Sequence, residues 1–228
     1  IEHVIIGIGG SATNDGGAGM VQALGVKLLN HQGEEIGPGG AALAQLANID
    51  FSGLDPRIAR CRIEFACDVT LPLTGEQGAS AVFGPQKGAT PQQVRQLDAA
   101  LAHFAAIIQR DLAVDVLSVP GGGAAGGMGA GLYAFCQATL RPGIEIVTDA
   151  LGLDELVRDA TLVITGEGRI DSQTIHGKVP VGAARIAKRY NKPVIAIAGS
   201  LTSDVGVVHQ HGLDAVFSVI YRICSLEG

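Results

Sequence analysis

TLVITGEGRIDSQTIHGKVPVGAARIAKRYNKPVIAIA, from Thr161 to Ala198, lays out a strand, a polar turn, a helix and a second strand in that order. TLVIT (Thr161–Thr165) and PVIAIA (Pro193–Ala198) are uninterrupted apolar runs, the pattern of parallel strands covered on both faces. The spacing between them predicts a helix over Val179–Tyr190. A second predicted helix, Ser203–His211, leads into a third apolar run, AVFSVI (Ala215–Ile220). These connections are long enough for βαβ units, so the last third of the chain reads as half of a doubly wound parallel sheet. Ligands of such sheets bind beyond the carboxyl ends of the strands. Here those ends are TGEGRID (Thr165–Asp171) and AGS (Ala198–Ser200).

The amino-terminal stretch IIGIGGSATNDGGAGM (Ile5–Met20) has the same grammar. A predicted strand, His3–Ile8, runs into a loop of glycines and hydroxyls with one Asn-Asp pair, ahead of a predicted helix over about Gly17–Leu24. Glycines let backbone N–H groups come close to a ligand, and a helix starting near Ser11 or Asp15 would aim its positive end at an anion. Gly7, Gly9 and Gly10 do not spell G-x-G-x-x-G, and no G-x-x-x-x-G-K-[ST] occurs, so an ordinary glycine-rich strand-to-helix turn explains the loop equally well. A second such loop, GGGAAGGMGAG (Gly121–Gly131), has seven glycines in eleven residues. It fits either close backbone approach to a phosphate or a crossing where any side chain would clash.

Between these loops, Arg62–Val69 alternates as a strand ending at Asp68. The following segment, Thr70–Thr90, carries too much Pro and Gly for a long regular element. Thr90 and Pro91 form an N-cap and N1 pair for a helix to about Asp111, with Val94, Leu97, Leu101, Phe104 and Ile108 along its inward face. His103 on that helix reads as a surface or core histidine.

With 228 residues, 47% hydrophobic and 17% charged, the chain can bury one large core or two modest ones. No apolar run approaches the roughly 20 residues that span a bilayer. Four cysteines (Cys61, Cys67, Cys136, Cys224) without C-x-x-C spacing fit reduced thiols and a cytoplasmic location. A net charge of -6 and the absence of Trp argue against a nucleic-acid partner, which calls for a basic stripe and stacking platforms. The chain begins with Ile and stops at YRICSLEG without an evident terminal helix, so it reads as a piece of a longer one.

Asp15, Asp68, Glu167 and Asp171 follow predicted strands or sit in glycine-rich turns, with Arg169 and Lys178 close by. Phosphoryl transfer needs this inventory: carboxylates for Mg²⁺ or a hydroxyl proton, and cations for the transferred group. Helix caps and a local Glu167–Arg169 pair account for the same residues in structural terms. His176 fits a base or a structural hydrogen bond. No zinc spacing and no G-x-S-x-G elbow is present.

Six segments carry a resemblance: GIGGSATNDGGAGM (Gly7–Met20), ACDV (Ala66–Val69), FGPQKGAT (Phe83–Thr90), GGMGAGL (Gly126–Leu132), LVITGEGRIDSQTIHGK (Leu162–Lys178) and VIAIAGS (Val194–Ser200). In this order the chain resembles the bacterial glycerate kinases of the type-1 glycerate kinase family. The resemblance implies ATP- and Mg²⁺-dependent phosphorylation of D-glycerate to 2-phosphoglycerate. Phosphorylation at the 3-hydroxyl and a non-catalytic sugar-acid-binding regulator are the alternatives. It further implies two α/β domains, with residues 1–150 as the inserted α/β domain and 151–228 as the carboxyl-terminal part of a flavodoxin-like domain, and a site in the cleft between them. The family's APDSFK-like and DGGEGT-like motifs and its final helix are not found here. Within the resemblance, residue type and position nominate Asp68, Asp171 and Lys178 as catalytic, with Asp68 and Asp171 also as Mg²⁺ ligands. Gly9, Gly10, Ser11, Asn14, Asp15, Gly126, Gly127, Glu167 and Arg169 are nominated to bind substrate or phosphate. A dinucleotide-dependent oxidoreductase would need the fingerprint that is absent. Strand edges open a route to a homodimer.

Overall fold

The computed structural model describes residues 1–175 and 178–220. The chain divides into two compact units, Ile1–Arg141 and Pro142–Gly228, each mixing helices with a parallel sheet. The helix that opens the second unit lies within the stretch expected to close the first domain, which ran to residue 150.

The first unit contains, in order, β1 (His3–Gly7), α1 (Ala18–Ala23), β2 (Lys27–Leu29), β3 (Asn48–Asp50), β4 (Arg62–Ala66), α2 (Ala79–Phe83), α3 (Pro91–Leu112), α4 (Ala124–Cys136) and β5 (Thr139–Arg141). Its main sheet runs β1-β4-β5, all parallel, while β2 and β3 form a small antiparallel ladder. Gly7 pairs with Ala66 and Ala66 with Arg141, so the three strands end at one edge.

α3 starts where the sequence places it. Thr90 Oγ1 accepts from the Gln93 N–H at 3.3 Å, and the Gln93 side chain accepts from the Thr90 N–H at 2.8 Å, a reciprocal capping box ahead of Pro91. Leu101, Phe104 and Ile108 on its inner face are completely buried with Phe65, Phe135, Leu28 and Leu43. Full burial of each such side chain contributes about 1.5–3 kcal/mol. Val94 and Leu97, near the start, are only partly covered. His103 bonds the Leu46 carbonyl at 2.7 Å, a structural role.

The second unit contains α5 (Gly143–Ala150), α6 (Leu153–Asp159), β6 (Val163–Ile170), α7 (Val179–Arg189), β7 (Val194–Leu201) and β8 (Ala215–Ser218). Its sheet is parallel in the order β6-β7-β8. Two expectations change here. The polar turn predicted after Thr165 is instead strand, because pairing continues through Glu167↔Ala198 and Arg169↔Ser200 to Ile170↔Leu201. Glycine makes that pairing feasible: a Cβ on Gly166 would lie 2.7 Å from the Ile197 carbonyl oxygen. The helix expected over 203–211 is a 3-10 segment, Val205–His211.

Coverage also differs from expectation. α7 buries Ala184, Ile186 and Ala187 with Val194, Ala196 and Ala198, closing one face of the sheet. On the opposite face Ile164, Ile197 and Phe217 are 63%, 41% and 55% exposed, so among the described residues the apolar runs are covered on one side only. No helix among the described residues is long and apolar enough to cross a membrane.

Candidate active site

In the first unit the chain leaves β1 through Ile8-Gly9-Gly10-Ser11 and leaves β4 through Cys67-Asp68-Val69. These neighbouring turns wall a cavity of about 380 Å³, closed further by Gln86, Lys87, Ala124 and Ala125. A parallel sheet binds ligands at this end. A Cβ on Gly9 or Gly10 would meet nothing within 4 Å, so both present bare backbone, and Gly10 holds the left-handed conformation with φ +67°.

The rest of the loop is fixed from two sides. Lys87 Nζ donates to Ser11 Oγ at 2.9 Å and to the Thr13 carbonyl at 2.7 Å. Asn14 Nδ2 donates to Ser80 Oγ at 2.9 Å, while its Oδ1 is buried with no hydrogen-bond partner among the described residues. Asp15 accepts from the Gly17 and Gly19 N–H groups at 3.0 and 3.2 Å. The helix therefore begins at Ala18, and donors at its start are engaged by the protein's own carboxylate. The Gly9–Ser11 turn is the part of this loop that lines the cavity.

Gly126 and Gly127 do different work from Gly9 and Gly10. Both are buried and left-handed, and a Cβ on Gly126 would stand 2.0 Å from the Thr13 carbonyl oxygen. They lie where α4 crosses the back of the Thr13–Gly17 segment, and Ala124 and Ala125, not these glycines, reach the cavity. Of the two explanations the sequence leaves open for this loop, close crossing accounts for these two positions.

Lys87, within FGPQKGAT, carries no local sequence signal of its own. Burial pushes its ammonium pKa down, with the nearby Asp15 charge acting in the other direction. It also borders a second cavity of about 610 Å³, beside Thr13, Asn14, Gly40, Gln93 and Gln96.

In the second unit a strand and a turn gather four nominated residues. Glu167 and Arg169 alternate on β6 and so project to the same side, with Asp171 just after it. Lys178, immediately before α7, places Nζ 3.7 Å from Glu167 Oε1 and 3.8 Å from Asp171 Oδ1, and Arg169 Nε lies 3.5 Å from Asp171 Oδ2. Buried Thr174 donates to Glu167 at 3.5 Å and accepts the Asp171 N–H at 3.2 Å, while the Gln173 N–H donates to Asp171 Oδ1 at 2.9 Å. Ion pairs this long add little to stability. His176 lies outside the described residues.

The structure thus brings Gly9, Gly10, Ser11 and Asp68 to one cavity, keeps Asn14 and Asp15 in the supporting loop, and clusters Glu167, Arg169, Asp171 and Lys178 on the other unit. Among the described residues no trio of His, Cys, Asp or Glu is placed to hold a metal ion.

The family model for the glycerate kinase family matches residues 1–228. The chain belongs to the glycerate kinase family. Among curated glycerate kinase relatives it is 65% identical over 225 residues to the Glycerate 2-kinase of Escherichia coli K12, covering 99% of this chain and 59% of that protein. It is 58% identical over 227 residues to the Glycerate kinase of Halalkalibacterium halodurans, covering 100% of this chain and 60% of that one. A crystal structure of a Salmonella typhimurium LT2 protein assigned as glycerate kinase 2 superposes with a TM-score of 0.86 at 71% identity, over 99% of this chain and 59% of its own. The chain therefore spans about 59–60% of the length of these glycerate kinases.

Proposed function

We propose that this chain carries out its part of an ATP-dependent phosphoryl transfer to D-glycerate, with 2-phosphoglycerate as product. The observation that carries the proposal is the cavity at the ends of β1 and β4, where bare glycine backbone, a carboxylate (Asp68) and a cation (Lys87) border one space. Such a space suits an oxyanion and a hydroxyl held side by side. The relatives' names supply the substrate, and that of the Escherichia coli protein supports the 2-position.

In this proposal transfer is direct and in line. Asp68 or Asp171 orients and deprotonates the attacking hydroxyl, while Arg169 and Lys178 hold the carboxylate or the phosphates. The Gly9–Ser11 turn donates backbone N–H groups to anionic oxygens. Gly126 and Gly127 contribute by backing the loop.

Mg²⁺ commonly takes only one or two carboxylates and completes its shell with phosphate oxygens and water. Either carboxylate taken singly suits such an ion: Asp68 borders the cavity of the first unit, and in the second unit Asp171 faces Lys178 and Arg169 at distances beyond a direct hydrogen bond. When bound, the ion would neutralise charge on the phosphates. A cytoplasmic location belongs to the same proposal, supported by free thiols at Cys61, Cys67 and Cys136. A homodimer belongs to it as well and is checked by light scattering.

The test is ADP release from Mg-ATP with D-glycerate, with the product read by proton-coupled phosphorus NMR. The proposal expects glycerate-dependent release and a doublet, from a phosphate on a carbon bearing one hydrogen. A triplet would place the phosphate on the 3-hydroxyl. Glycerate binding without ADP release would return the regulator reading.

A further inference from the structure

Lys87 stands at the wall shared by two cavities of the first unit, one of about 380 Å³ and one of about 610 Å³. Both acceptors within reach of its Nζ, Ser11 Oγ at 2.9 Å and the Thr13 carbonyl at 2.7 Å, are neutral. No carboxylate oxygen of a described residue comes within the 4.0 Å of an ion pair. An ammonium has three protons to donate, and these acceptors engage two. A cation partly removed from water, bonded to neutral oxygens and with the Asp15 charge acting on it only from beyond ion-pair distance, is under-compensated.

The backbone holds it there deliberately. Lys87 ends a 3-10 turn, Pro85–Lys87, that begins beside Gly84 and stops at Gly88 with φ +93°. Gly84 continues the last turn of α2, its N–H donating to the Ser80 carbonyl at 2.9 Å, so the turn is tied directly to that helix. Asp68 lies on the same smaller cavity, and Gln93 and Gln96 line the larger one. An incoming anion would supply the charge that Lys87 lacks, and it would meet the Gly9–Ser11 backbone at the same point.

We propose that Lys87 binds an oxyanion of the reactants and, through Ser11 and Thr13, holds the glycine loop in place around it. The inference rests on the kinase reading for its two sources of oxyanion, a nucleotide phosphate or the carboxylate of the hydroxy acid.

The test pairs lysine acylation of the intact protein, followed at Lys87 by mass spectrometry, with steady-state kinetics of Lys87→Met and Lys87→Arg. Saturating Mg-ATP, D-glycerate and inorganic pyrophosphate are compared as protectants. The expected result is at least about ten-fold slower labelling of Lys87 with one reactant, and a KM for that reactant about ten-fold higher in Lys87→Met. Lys87→Arg should recover most of that KM, which a purely structural tether would not require. Protection by Mg-ATP names the phosphate as the oxyanion, and protection by D-glycerate names the carboxylate. Should Lys87→Met fail to fold, the labelling of the unaltered protein decides alone. Turnover in the unaltered protein, with no protection of Lys87 by any of the three compounds, would overturn the role of Lys87. Absent turnover would strike the kinase reading instead, and pyrophosphate protection would then still support an anion site at Lys87, while its failure would remove that too.

Discussion

Gly16 donates its backbone N–H to the carbonyl oxygen of Gly126 at 3.0 Å, tying the loop after β1 to the first turn of α4. The two backbones approach so closely that a Cβ on Gly127 would stand 2.8 Å from Gly16 Cα. The cavity's glycine turn is therefore supported from behind by packing that tolerates no side chain.

Gly126→Ala puts a methyl group 2.0 Å from the Thr13 carbonyl oxygen and 2.7 Å from Asn14 Cα, at φ +72°. We expect a loss of about 3 kcal/mol or more in urea unfolding, since the clash is with backbone that cannot swing aside. Gly10→Ala is the control. Its φ of +67° imposes a similar conformational cost, but nothing stands within 4 Å. That variant should lose only about 1 kcal/mol, so the difference between the two measures the crossing itself.

Glu64 is a second point of tension in the same unit, only 3% exposed and bonded to Arg62 at 2.7 Å, His3 at 2.6 Å and Arg141 at 3.1 Å. The Arg62 hydrogen bond leads in lowering its pKa from 4.5 to about 2, with His3 and Arg141 adding to it against the cost of burial. A carboxylate depressed in the folded state stabilises fully above its unfolded value, and that contribution fades as pH falls toward the folded one. Melting temperatures should therefore fall between about pH 5 and pH 2, and Glu64→Gln should flatten part of that slope while lowering stability at neutral pH.

Thr90→Ala removes one half of the capping box and should cost about 1 kcal/mol, measured as a shift in the urea midpoint at unchanged slope. Retention of full stability would mean that the buried face of α3, and not its cap, sets where the helix begins.

Asp171→Asn keeps the acceptor for the Gln173 N–H but removes the charge that faces Lys178 and Arg169. Stability should stay within about 0.5 kcal/mol, because both ion pairs are long, at 3.5 and 3.8 Å, and the asparagine keeps the hydrogen bond from Gln173. Turnover should drop at least about a hundred-fold if Asp171 handles the hydroxyl proton. Unchanged turnover would take Asp171 out of the mechanism and leave Asp68.

What the sequence revealed divides along distance in the chain. Local signals were reliable: Thr90-Pro91 and the three- and four-residue spacing located α3, and the three apolar runs located β6, β7 and β8 in a parallel sheet. In sequence β6 looks short because Gly166 and Gly168 resemble turn residues. Gly166 lets β7 come close at Ile197, and the second tight approach needs glycine on β7 instead, where a Cβ on Gly199 would stand 2.6 Å from the Gly168 carbonyl oxygen. Gly126 and Gly127 posed the same difficulty, since what fills the space around them comes from the opposite end of the unit. Lys87 has no local signature because its two acceptors are 76 and 74 residues away in sequence. The family resemblance, which draws on whole motifs, was matched over residues 1–228.

The face of the second unit that carries Ile164, Ile197 and Phe217, uncovered among the described residues, sets how the chain behaves in concentrated salt. In dilute buffer a net charge of -6 keeps copies apart. Added electrolyte screens that repulsion and strengthens apolar contact, so the wettability of this wall takes over as the term that limits solubility. The chain should salt out early, and Ile197→Thr should move its precipitation point to higher ammonium sulfate without disturbing the buried face beneath α7.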